Sequence, residues 1–117
     1  MICCVYGPNN DSPTFYTKLQ EHIDDFQIDN VIICGDFNLV LNPEQDYYNY
    51  KNLNNPNARE KLIQLMEDKD YVDVYRQFHP DSLRYIWRKK NPLKQSRLDF
   101  FLVTENLLPS VNTSSID

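Results

Sequence analysis

The chain has 117 residues, 41% of them hydrophobic and 13% aromatic, with a net charge of −5 at neutral pH. That length suits one small domain with a real core, and that composition excludes an intrinsically disordered segment. No apolar stretch approaches the roughly 20 residues that span a bilayer, and the acidic sum taken alone points away from nucleic acid.

The first element predicted is a short buried strand at residues 2–6, Ile-Cys-Cys-Val-Tyr. No basic region precedes it, and it is too short for a signal peptide. Gly7-Pro8-Asn9-Asn10-Asp11 is turn chemistry. Ser12 followed by Pro13 fits an N-cap and first helical position. The helix should run to about Phe26, with Phe15, Leu19, Ile23 and Phe26 on one face. Asp29-Asn30 then turns the chain into a second buried strand at residues 31–34. Strand, helix, strand predicts an α/β arrangement.

Residues 42–57 form a long stretch rich in Asn and Tyr without periodicity, and a loop of that length is usually functional or an insertion. Within it, Glu44 and Asp46 are expected to be solvated acids. Asn57 is expected to cap a helix from Ala58, with Leu62, Leu65 and Met66 inward. Residues 70–75 follow as a short helix or extended segment. Pro80-Asp81-Ser82 is a turn, residues 83–88 a strand, 89–96 a hairpin loop and 97–104 another strand. Both chain ends read as cuts through a domain. Cys3, Cys4 and Cys34 sit in apolar runs. Their odd count and lack of a spacing motif argue against a disulfide framework or a zinc site, so buried reduced thiols in an intracellular protein are expected.

Four patches carry chemistry. Gly35-Asp36-Phe37-Asn38 ends the second strand. In an extended segment Asp36 and Asn38 share a face and can hold a hard divalent cation, a water and a phosphate oxygen together. The competing expectation is a turn that uses both side chains for local backbone bonding. Tyr6-Gly7-Pro8-Asn9 places a phenol and a carboxamide at another strand end, although Pro-Asn is also an ordinary turn pair. Asp99 opens the apolar run Phe100-Phe101-Leu102-Val103, and it either pairs with Arg97 or faces a histidine or metal. Arg84, Arg88, Lys89, Lys90, Lys94 and Arg97 form a basic segment without acids, interleaved with Tyr85 and Trp87. That pattern suits base stacking and phosphate contact, or an edge hairpin kept soluble by charge. His22 and His79 are expected at the surface.

The order of these patches resembles the endonuclease/exonuclease/phosphatase superfamily. The spelling Trp87-Arg88-Lys89-Lys90-Asn91-Pro92 through Gln95-Ser96-Arg97-Leu98-Asp99-Phe100 resembles, more narrowly, the apurinic/apyrimidinic-type endonuclease domain of non-LTR (LINE-type) retrotransposons. The resemblance implies a deoxyribonuclease I-like, four-layer α/β sandwich. It implies that residues 1–117 are a partial domain, a central-to-late fragment lacking the first and last strands. It also implies a Mg²⁺- or Mn²⁺-dependent phosphodiesterase that nicks target DNA for retrotransposition. Asp36 matches the carboxylate that orients or deprotonates the attacking water, and Asn38 a residue that helps hold phosphate and metal. Tyr6 and Asn9 match contacts to the scissile phosphate. Asp99 matches the carboxylate that orients the catalytic histidine. Trp87 matches an aromatic of the site wall, and the segment with Arg88, Lys89, Lys90 and Lys94 a DNA-contacting loop.

The family's metal-binding Glu precedes the region matched, and its Ser-Asp-His signature follows it. Without them the 117 residues are expected to have no appreciable nuclease activity alone. The implied partners are DNA and a covalently linked reverse transcriptase, with no membrane; the implied location is intracellular, and nuclear for the parent's activity. Alternatives are another phosphodiesterase or phosphatase of the superfamily, a non-catalytic nucleic-acid-binding module, or a decayed copy.

Overall fold

The computed structural model describes residues 1–41, 47–48, 55–80, 87–90, 93–96 and 98–111, with 47–48, 87–90 and 93–96 described as backbone alone. Strand β1 (Ile2–Tyr6) leads through helix α1 (Pro13–Asp24) to β2 (Ile32–Asp36). β1 and β2 pair in parallel, Ile2 opposite Ile32 through Tyr6 opposite Asp36, so α1 is the crossover that a parallel pair requires. The β7 strand (Asp99–Thr104) joins β2 antiparallel, and the short β4 (Tyr71–Asp73) joins β7. The resulting sheet has the order β1-β2-β7-β4. A second sheet, order β3-β6-β5, is formed by β3 (Tyr47–Tyr48), β5 (Trp87–Lys90) and β6 (Leu93–Ser96). This is the mixed α/β class that the strand–helix–strand pattern predicts.

Side-chain alternation divides the four-stranded sheet into two unlike faces. Ile33, Phe100 and Leu102 face a core completed by Tyr16 and Ile23 of α1 and by Ala58 and Leu62 of helix α2 (Pro56–Lys69). The alternate residues lie on the other face, where Ile2 is 69% exposed, Tyr6 72% and Phe101 59%. Helix α3 (Val74–Phe78) follows β4 directly, and residues 70–75 therefore hold both an extended and a helical part.

Several local expectations shift. Pro13 does open α1, but the helix stops at Asp24 and Phe26 is 55% exposed rather than inward. The buried face of α1 runs through Tyr16, Gln20 and Ile23. Gln20 is tolerated there because its amide donates to Asp24 Oδ1 at 2.8 Å and its carbonyl accepts from the Tyr71 hydroxyl at 2.8 Å. Helix α2 starts at Pro56 with Asn55 at the cap position, not with Asn57 as cap. Its first amides are satisfied from a distance: the Asp11 carboxylate accepts from Asn57 N–H at 3.1 Å and Ala58 N–H at 2.7 Å. Where a hairpin loop is expected at residues 89–96, residues 89–90 and 93–96 instead belong to paired strands, with Lys89 opposite Lys94 and Arg88 opposite Gln95, and residues 91–92 lie outside the described residues. Residues 81–86 and Arg97, which cover most of the expected turn at 80–82 and parts of the strands expected at 83–88 and 97–104, lie outside the described residues, as do Glu44 and Asp46. The cysteines are free, yet Cys4 is exposed and Cys3 and Cys34 only half-buried: Cys4 and Cys34 lie on the sheet's open face, while Cys3 packs at the margin of the core. No described helix is long and apolar enough to cross a membrane.

Candidate active site

Three strand ends place three of the expected residues in one row. Tyr6 is the register partner of Asp36 across β1 and β2, and Asp36 is the partner of Asp99 across β2 and β7. Cross-strand partners lie on the same face, about 5 Å apart between neighbouring strands. The row Tyr6–Asp36–Asp99 thus lies at one end of the sheet's open face. Two carboxylates directly opposite each other destabilise a sheet, and Asp99 registers this: partial burial first, then the Asp36 charge, raise its carboxyl above the usual carboxylate value.

Two loops behind the row are tied together. Gly7 N–H donates to Asp36 O at 2.6 Å, and Phe37 N–H to Leu98 O at 3.0 Å. The Asn38 side-chain amide donates to Gly7 O, and the Tyr16 hydroxyl to Phe37 O at 2.8 Å. Asn38 N–H donates back to Asp36 Oδ1 at 2.8 Å, so one oxygen of the water-orienting candidate is fixed. Burial first and the Asp36 charge second hold the Tyr16 phenol well above its ordinary pKa, so it remains a donor.

The chain has only two glycines, and both sit in this seam. A Cβ on Gly7 would lie 2.2 Å from Phe37 O, and one on Gly35, whose φ is +131°, would lie 2.1 Å from Val5 O. No other residue fits either position.

Asn38 corrects one expectation. The strand ends at Asp36 and Asn38 has φ 55°, so the alternation that would put both side chains on one face stops before Asn38 is reached. Its amide bonds the Tyr6-Gly7-Pro8 loop. Asn9 is exposed, three residues beyond Tyr6. The residue that sequence reasoning missed is Asn55. It is 7% exposed, has φ 51°, and donates its amide to Asn38 O at 2.9 Å and Pro8 O at 3.4 Å. It joins both loops to the start of α2.

The remaining candidates lie elsewhere. His22 is exposed and packs edge-on against Phe26, and His79 stacks on Tyr75 at 4.6 Å. Trp87, Arg88, Lys89 and Lys90 lie on β5 and Lys94 on β6, in the second sheet rather than in the row.

The row suits a divalent cation. Among the described residues no group of three or more His, Cys, Asp or Glu gathers for a metal, but Mg²⁺ commonly keeps several waters and binds through one or two carboxylates. Asp36 and Asp99 match that donor set.

Comparison with known proteins agrees with this architecture. A family model described as "Endonuclease-reverse transcriptase" matches residues 1–117. A 3′-5′ exonuclease from Neisseria meningitidis is similar in structure at a TM-score of 0.70 and 23% identity, covering 95% of this chain and 51% of that one. The catalytic domain of Xenopus laevis APE2 matches at 0.70 and 22% identity, covering 97% and 46%. An AP endonuclease from Archaeoglobus fulgidus matches at 0.64 and 25% identity, covering 91% and 49%. The chain therefore spans about half the length of these structures, and their fold is the deoxyribonuclease I-like α/β class that the resemblance implied.

Proposed function

The chain belongs to the endonuclease-reverse transcriptase family, and on that premise we propose that the row Tyr6–Asp36–Asp99 is part of a Mg²⁺- or Mn²⁺-dependent phosphodiesterase site acting on DNA. The supporting observation is the register pairing of Asp36 with Asp99, a like-charge juxtaposition that costs stability unless a cation or proton relieves it. Asp36 accepts a proton from, or orients, the attacking water, with one carboxylate oxygen already anchored by Asn38 N–H. Tyr6, exposed beside it, donates its phenol to a phosphate oxygen. Asp36 and Asp99 would together hold the cation, or Asp99 would orient a histidine supplied by another part of the site. Asn38 and Asn55 act as positioning residues: they hold the loops that carry Asp36 and Gly7. A bound divalent ion supplies charge neutralisation at the phosphate. In the setting we propose, the segment serves target-DNA nicking in a LINE-type element, joined to a reverse transcriptase and working in the nucleus.

Mn²⁺ titration followed by NMR tests the cation reading on this chain. Selective broadening of amides 36–38 and 98–99, abolished in Asp36→Asn, is expected. Uniform broadening, or broadening unchanged in Asp36→Asn, overturns it. We further infer that the 117 residues alone do not nick supercoiled DNA appreciably. Robust Mg²⁺-dependent nicking that disappears in Asp36→Ala would refute that inference.

The paired strands β5 and β6 support a DNA-contact role for the second sheet. Lys89 stands opposite Lys94 in the strand register, and like-charged residues at such cross-strand positions are favoured by a phosphate partner. Replacing either lysine should reduce the slope of log affinity against log salt by about one, whereas Asp36→Asn should leave that slope unchanged.

A further inference from the structure

Two of the three cysteines stand side by side. Cys4 on β1 and Cys34 on β2 are register partners, with their sulfurs 3.6 Å apart. Both belong to the open face, since they alternate with Cys3 and Ile33, which pack towards the helices. Cys4 is exposed and Cys34 half-buried. Neighbouring strands are about 4.8 Å apart, within the Cα separation of roughly 4.4–6.8 Å that a disulfide bridges. The two thiols are therefore reduced, in contact, and placed so that a modest approach of the sulfurs would join them.

We propose that Cys4 and Cys34 form a dithiol modification site that closes reversibly to an intramolecular disulfide by exchange with a small-molecule disulfide. The Cys4 thiolate attacks one sulfur of the external disulfide. A bond forms from Cys4 Sγ to that sulfur, the external S–S bond breaks, and a small thiolate leaves and takes a proton from water. Cys34 then gives its proton to solvent and attacks Cys4 Sγ, expelling the second small thiolate. The protein loses two electrons and two protons, and the external disulfide becomes two thiols.

Exposure sets the order, because the first attack needs an accessible thiol. Cys34 is half-buried where Cys4 is exposed, which makes it the poorer first attacker. The second step is intramolecular and gains from proximity. The bridge would cross-link β1 and β2 two residues before Tyr6 and Asp36, on the same face. It requires only the two thiols, so it stands whether or not the row cleaves DNA.

The test is incubation of the folded 117-residue chain with excess oxidised glutathione near pH 8. Titratable thiols should fall from the three present in the sequence to one, with the intact mass lower by two hydrogens. Tandem fragmentation between residues 3 and 4 should place the bridge on Cys4, and Cys3→Ser should form it unchanged. Cys34→Ser should instead retain glutathione on Cys4, and Cys4→Ser should leave Cys34 reacting about tenfold slower or less than Cys4 does. A lasting mixed disulfide on Cys4 with Cys34 free in the native chain would overturn the proposal, as would a bridge on Cys3 or bridges only between molecules.

Discussion

Replacing Asn55 with Ala removes the residue that joins both site loops to α2. Asn55 donates to Asn38 O at 2.9 Å and to Pro8 O at 3.4 Å. The shorter bond contributes about 1 kcal/mol net and the longer one on the order of half that. Its backbone has φ 51°, a conformation that Asn tolerates and that costs Ala about 1 kcal/mol more. Asn55→Ala should therefore destabilise the chain by about 2–3 kcal/mol. Asn55→Gly loses the same donations but accepts the left-handed backbone, and it should be less damaging by roughly 1 kcal/mol. Urea unfolding followed by circular dichroism measures both, with the m-value unchanged. Native-state hydrogen exchange supplies the local readout: Gly7 N–H, bonded to Asp36 O, should lose protection selectively. An Asn55→Ala variant within about 0.5 kcal/mol of the parent, with Gly7 still protected, would refute the clamp.

Gly35→Ala should abolish cooperative thermal unfolding or cost more than about 3 kcal/mol, because a Cβ there would meet Val5 O at 2.1 Å with φ at +131°; a melting transition within a few degrees of the parent would contradict this. Asp99→Asn should raise stability at neutral pH by about 0.5 kcal/mol while weakening Mn²⁺ binding. The sign follows from the raised Asp99 carboxyl: the native state holds that proton more tightly, so the parent loses stability as pH rises through the folded value. The variant's advantage should vanish in acid, and denaturation at several pH values reads it. Asp11 behaves oppositely. Its slight burial raises the carboxyl, but the amides of Ala58 and Asn57 outweigh that and leave it below 3.8. Its contribution is present above that value and lost as pH falls through the lower folded one, so the Asn57 and Ala58 amide resonances should shift in that window and stay fixed in Asp11→Asn.

The α/β class was legible because its signals are local. The apolar runs of β1 and β2, and Ser12-Pro13 before α1, need only neighbouring residues to be read. The end of α1 was less so: Phe26 fits the apolar period, but the helix stops at Asp24 and the backbone turns left-handed at Gln27. Asn55 left no local trace in a stretch crowded with asparagines. Its meaning comes from partners 17 and 47 positions away, brought near only by the fold. The pairing of Asp36 with Asp99 is likewise a matter of strand register, which spacing does not reveal. One clue was available: with only two glycines in the chain, both beside the candidate motifs, close backbone approach at that seam could have been inferred.

The row and the open face are energetically linked. Tyr6, Asp36 and Asp99 share their side of the sheet with Ile2, Cys4 and Phe101, where exposures of 59–72% at Ile2, Tyr6 and Phe101 leave apolar surface in water at about 25 cal/mol per Å². Solvent at the same face screens the repulsion between the two carboxylates. Any apolar layer laid over the face would remove the first cost and enlarge the second, since desolvation would raise the Asp99 carboxyl further. A cation between Asp36 and Asp99 would offset that increase, and its attraction would strengthen in the same lowered dielectric. Covering the face and binding the ion would then favour each other, which ties the strength of the site to how much of the sheet is covered.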